Sequence, residues 1–163
     1  MPILALLLLA APPPPLPPCR VERLRIALDG RAGDFNGMSH SGTELSIRNL
    51  GPDCLLMALP AVQLRDARGR VLPALRQAPR GMHPGPVVLP VRLAAGHRAT
   101  TELRWVSGPV FPRSRAVRAA RITVEIGSGT LTAPLTATLY GPAGHAVPFE
   151  EAPLRAVEGM AAG

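Results

Sequence analysis

The chain has 163 residues and a formal charge of +7, and all 18 of its basic residues are arginine. That length suits one domain with a short additional segment, and 20 Pro with 16 Gly interrupt every helical stretch, which excludes an all-α design. The absence of lysine also excludes a Walker A phosphate loop, a Schiff-base lysine and a lysine general base.

The first feature in chain order is Ile3 to Ala11, nine uncharged apolar residues. The run is too short to span a bilayer and has the length of the hydrophobic region of a secretory signal. A buried strand or a membrane-associated tail is the competing reading. It fits poorly with Pro12 to Pro15 and Pro17 to Pro18, which lack the amide protons a sheet needs and read as a polyproline II spacer. Residues 1–18 are therefore expected to be signal peptide and spacer, and the protein to be exported, periplasmic or extracellular. No later stretch reaches 18 consecutive apolar residues, so no transmembrane segment is expected in the mature chain.

Cys19 and Cys54 are the two cysteines. In an oxidising compartment they allow one pairing, and the chain-entropy account puts a disulfide over that loop at about 3 to 4 kcal/mol. Two alternatives stay open. Cys19 could be lipidated as a membrane anchor, which Leu16 three residues earlier favours and Pro18 directly before it opposes, or both thiols could be free and buried.

The body of the chain reads as strands. Leu24, Ile26 and Leu28 alternate with Arg23, Arg25 and Ala27 within Val21 to Leu28, and Leu45 and Ile47 alternate with Glu44, Ser46 and Arg48 within Thr43 to Leu50. Cys54 to Leu59 is more continuously apolar. Ala61 to Ala67 alternates through Val62 and Leu64, and Asp66 to Arg70 reads as a hairpin turn into Val71 and Leu72. Arg76 to Pro86, with three Pro and two Gly, reads as a surface loop. Val87 to Leu93 and His97 to Val106 flank a second turn at Ala94 to Gly96, and Arg121 to Ile126 is followed by Gly127-Ser128-Gly129 and Leu131 to Tyr140. Seven to nine short strands predict an all-β fold, an antiparallel β-sandwich over residues 19–141. Residues 142–163, which include the adjacent carboxylates Glu150 and Glu151, are expected to form a flexible, solvated tail.

The basic charge does not point to nucleic acid. Arg23, Arg25, Arg48, Arg65, Arg104 and Arg121 are interleaved with strand residues, and one Trp, one Tyr and three Phe supply no stacking platform, so no nucleic-acid partner is expected.

Cys19-Arg20, Gly37, the strand with Leu45, Ile47 and Asn49, then Cys54, Leu56, Pro60, Val62, Leu64, Asp66 and Gly69, and later Gly96, Ala99, Leu103, Arg104 and Trp105 occur in an order that resembles the bacterial exported family called domain of unknown function 4232. The resemblance spans residue 19 to about residue 126. It implies an exported immunoglobulin-like sandwich, often behind a signal or lipoprotein leader, with no agreed activity. Two departures stand out: Ala58-Leu59 replaces a Gly-aromatic pair before the proline, and no second cysteine pair follows Trp105.

Catalytic patterns are missing from the sequence. Gly127-Ser128-Gly129 lacks the spacing of a nucleophile elbow, and neither Cys-x-x-Cys nor His-Glu-x-x-His occurs. Met38 and His40 stand two apart, which would place them on one strand face, and with Met82 and His83 they form the candidate set for copper, whose ligand preferences include thioether and imidazole. Trp105 is expected in the core beside the disulfide rather than at a ligand. The expectation is a non-enzymatic binding or structural module of the cell envelope that meets an unidentified protein or envelope partner and needs no cofactor. A small-ligand or copper carrier is the alternative.

Overall fold

The computed structural model describes residues 13–29, 37–77, 88–127 and 129–157. Eleven strands lie in these segments: β1 (Leu24–Leu28), β2 (His40–Asn49), β3 (Cys54–Leu56), β4 (Val62–Arg65), β5 (Ala74–Gln77), β6 (Val91–Leu93), β7 (Arg98–Val106), β8 (Ser114–Ile126), β9 (Gly129–Pro142), β10 (Val147–Glu151) and β11 (Arg155–Val157). A single 3-10 turn at Val21–Arg23 precedes β1. The larger sheet runs β1-β2-β7-β10-β5 with β11 also on β7, the smaller runs β4-β8-β9, and β3 with β6 makes a ribbon.

β7 organises the larger sheet because its alternation is complete: Ala99, Thr101, Leu103 and Trp105 are buried while Arg98, Glu102 and Arg104 are exposed. β2 covers one edge of β7 from His40 opposite Val106 to Arg48 opposite Arg98. Two short strands share the other edge, β10 opposite Leu103 to Trp105 and β11 opposite Arg98 to Thr100. Pro153 separates them, since it has no amide proton to continue the ladder. The chain is held there by Thr101 Oγ1, which donates to the Ala152 carbonyl, and by the Leu154 amide, which donates to the Ala58 carbonyl at 2.8 Å.

These two strands correct the expectation of a flexible tail after residue 141. Val147, Phe149, Glu151 and Leu154 are all buried, so the domain extends through residue 157 among the described residues. β5 makes two further corrections. Part of the expected loop is a strand, and β5 runs parallel to β10, with Ala74 opposite Val147 and Gln77 opposite Glu150, so the sandwich is mixed rather than wholly antiparallel. Residues 78–86 of that expected loop lie outside the described residues.

The smaller sheet is built on the β8-β9 pair, which slips register between Ala119 and Arg121. Its inward positions therefore pass from odd-numbered Val117 and Ala119 to even-numbered Ile122, Val124 and Ile126, while β9 keeps Leu131, Ala133, Leu135, Ala137 and Leu139 inward throughout. Pro134 is tolerated at this irregularity, where the regular ladder is broken. The two inner faces meet in one core that includes Leu24, Leu45, Ile47 and Leu103 from one sheet and Ile122, Val124, Leu131 and Leu139 from the other.

Cys19 and Cys54 are bonded, with Cα atoms 4.8 Å apart. The pairing follows from the strand alignment: Leu55 N donates to the Pro17 carbonyl and Cys19 N to the Leu55 carbonyl, which lays the start of the domain beside β3. The bonded Cys19 sulfur leaves no thioether site for a lipid. Trp105 is buried in the core but does not pack on the disulfide. Cys54 pairs with Leu93 just before the turn into β7, whereas Trp105 lies seven residues along β7 from Arg98, about 23 Å at a strand's rise per residue, opposite Phe149.

Candidate binding face

Of the residues singled out as metal ligands, Met38 lies in a turn and His40 begins β2, so these two do not share a strand face. Met38 and Ser39 are the two central residues of a tight turn closed by Gly37 N to the His40 carbonyl at 3.0 Å and His40 N to the Gly37 carbonyl at 2.9 Å. Both have positive φ, 44° and 67°, the conformation a two-residue hairpin with this handedness demands. Met38 is 98% exposed, and His40 Nδ1 lies 3.0 Å from the Met38 carbonyl, leaving Nε2 outward. Met82 and His83 lie outside the described residues. Among the described residues no group of three or more His, Cys, Asp or Glu comes together.

The charged tail expected at Glu150 and Glu151 is also revised. Glu151 points into the core, and its Oε2 lies 3.2 Å from Nη1 of Arg76, which donates as well to the Pro60 carbonyl at 2.6 Å. Burial pushes the Glu151 carboxyl up from the usual carboxylate range, more strongly than the Arg76 charge and hydrogen bond pull it down. Asp53 shifts the other way, lowered first by the Ala95 backbone N–H and then by Arg92. A shallow depression of about 300 Å³ lies between Leu75, Gln77, Pro142, His145, Ala146 and Pro148, and its lining is mainly apolar.

The outer face of the larger sheet carries a more pronounced feature. Arg25 on β1 is the register partner of Arg48 on β2, and Arg48 is the partner of Arg98 on β7. Directly opposed residues on antiparallel strands point to the same side, so three arginines stand in one row across three neighbouring strands, all exposed. The next row is Ala27, Ser46, Thr100 and Arg155, and just outside the paired strands the Leu50 amide donates to the carbonyl of Arg23, in the 3-10 turn before β1, at 2.7 Å. The first carboxylates on the strands of this face are Glu44 and Glu102, paired with each other one row beyond Ser46 and Thr100.

Two of these guanidinium groups, those of Arg25 and Arg48, are held by backbone oxygens. Arg25 Nη1 donates to the Leu24 carbonyl at 2.8 Å and to the Glu22 carbonyl at 3.3 Å, and Arg48 Nε donates to the Gly96 carbonyl at 3.2 Å. Each arginine has five N–H donors, so Arg25 and Arg48 keep donors beyond these bonds. The alternation of Arg25 and Arg48 with apolar residues was visible in sequence, but the row was not, because it depends on which residues of β1, β2 and β7 face one another.

Residues 19–158 match the family described as Domain of unknown function (DUF4232). The chain belongs to that family. The match covers the whole sandwich, including the β10 and β11 strands beyond the reach of the motif resemblance, and no curated protein and no solved structure matches the chain. In this member of domain of unknown function 4232, Asn49 sits at the end of the basic face as an internal clamp. Its Nδ2 donates to the Pro52 carbonyl at 2.8 Å and the Leu93 carbonyl at 3.0 Å, and its Oδ1 accepts from Gly51 N at 2.8 Å.

Proposed function

We propose that this protein is an exported module of the cell envelope that acts by binding, with the outer face of its larger sheet as the contact surface. The observation that carries the reading is the row Arg25, Arg48 and Arg98. Like charges directly opposed across strands are unfavourable, and a local conflict of this kind in an otherwise consistent fold is characteristic of a functional surface. Export is supported by the disulfide, which persists in oxidising compartments, and by the apolar run Ile3 to Ala11.

The test starts from protein purified from cells with its own leader. The expected intact mass is that of a cleaved chain about 2 Da below its reduced mass, the loss of two hydrogens on disulfide formation. An uncleaved, reduced chain in the cytosolic fraction would reject export. Turnover of a generic ester, peptide or glycan substrate that disappears on a single substitution would reject a purely binding role.

A further inference from the structure

We infer that the partner of the arginine face is the phosphate headgroup layer of an anionic phospholipid bilayer. This rests on the reading of that face as the contact surface and goes beyond it by naming the chemistry. Neighbouring strands are about 4.8 Å apart, so Arg25, Arg48 and Arg98 form a line about 10 Å long, with Arg155 on the next row. Guanidinium matches phosphate oxygens in a planar, two-donor geometry, and the backbone carbonyls that hold Arg25 and Arg48 fix these side chains without neutralising them.

The shape of the surface selects an extended partner over a small one. The row lies on an open sheet face, and the depression of about 300 Å³ is lined without any arginine, so a single free phosphate would find no enclosing walls there. Leu50 then selects a bilayer over a soluble polyanion. It is 52% exposed, it follows β2 two residues after Arg48, and its amide is bonded to the Arg23 carbonyl, so an apolar side chain stands close to the cations as on surfaces that seat in the headgroup region. The rows of this face hold no aromatic side chain for stacking on a base or sugar, and Trp105 and Phe149 are buried.

The experiment is co-sedimentation of the oxidised full chain with vesicles of phosphatidylcholine alone and vesicles in which a third of the lipid is phosphatidylglycerol. Binding is expected to the anionic vesicles only, and it should weaken as salt is raised and the surface charges are screened. Arg48→Glu removes one cation and adds an anion, so affinity should fall at least about tenfold. Arg98→Gln should lower it about fivefold, whereas Arg118→Glu with Arg121→Glu, exposed on the outer face of the smaller sheet, should change it less than about twofold. No binding to anionic vesicles, or equal losses from both faces, would overturn the proposal. Inorganic polyphosphate or duplex DNA bound in an Arg48-dependent way with vesicles ignored would also overturn the bilayer, while leaving the arginine face as the contact surface.

Discussion

Glu151 holds its carboxylate 3.2 Å from the guanidinium of Arg76 with only 1% of its side chain exposed. Burial outweighs the ion pair and raises the carboxyl above its ordinary value of 4.5. A carboxyl raised by folding binds its proton more tightly in the native state. Its contribution to stability is full below 4.5 and is lost as pH rises through the raised value. Denaturant midpoints measured from pH 4.5 to neutrality should therefore decline more steeply for the wild type than for Glu151→Gln, and parallel slopes would refute the assignment. At neutral pH, Arg76→Met should be the more damaging change, at about 3 to 5 kcal/mol, because it strands a buried carboxylate without its cation. Asp53 and Asp66 are both lowered, so their contribution is lost only as pH falls below 3.8, outside this window.

Asn49 is the clamp between the turn after β2 and the turn between β6 and β7. It is 1% exposed, and besides its side-chain bonds its amide donates to the His97 carbonyl at 2.9 Å and its carbonyl accepts from Gly96 N at 2.8 Å. Asn49→Leu keeps the branched side-chain skeleton and the backbone pairing but removes the side-chain bonds to the Pro52 and Leu93 carbonyls and the Gly51 amide. The expected loss is about 2 to 4 kcal/mol in a urea titration, and a change under about 0.5 kcal/mol would mean that water replaces the side chain without penalty.

The parts of this fold that were legible in the sequence are those whose periodicity is local. Leu45 and Ile47 on β2, and Leu103 and Trp105 on β7, alternate cleanly because one face of each strand is buried along its length. The first half of β8 was hidden because the register slip moves its inward side from Val117 and Ala119 to Ile122 and Val124, which breaks the period-two pattern. β10 and β11 were hidden for a different reason. They are short, carry Pro148 and border Pro153, and Phe149 becomes buried only because it pairs with Trp105, 44 positions earlier in the chain. The arginine row has the same origin: each residue reads as an ordinary exposed strand position, and only the β1-β2-β7 register turns three of them into a line.

The Met38-Ser39 turn offers a test in the opposite direction, toward greater stability. Both residues are in the left-handed region, where a side chain costs about 1 to 2 kcal/mol, and Asn-Gly is the pair that suits such a turn. Met38→Asn with Ser39→Gly should stabilise the protein by about 1 to 2 kcal/mol in thermal or denaturant unfolding. The same variant lacks the exposed thioether, so a copper titration run in parallel bears on the carrier alternative. Unchanged copper affinity would remove Met38 as a ligand.

Arg48 is where stability and binding should part. It faces Arg25 on one side and Arg98 on the other, so Arg48→Glu replaces two repulsive cross-strand pairs with two attractive ones. At low ionic strength the variant should be more stable than the wild type by about 1 kcal/mol, even after losing the exposed hydrogen bond to the Gly96 carbonyl. The gain should shrink as salt screens exposed charges, which separates an electrostatic origin from a change in strand propensity. A variant that melts higher yet no longer sediments with anionic vesicles cannot owe its lost binding to misfolding. If Arg48→Glu is instead destabilising at low salt, the three guanidinium groups do not repel one another in the folded chain, and the argument that the row is kept for a partner fails with it.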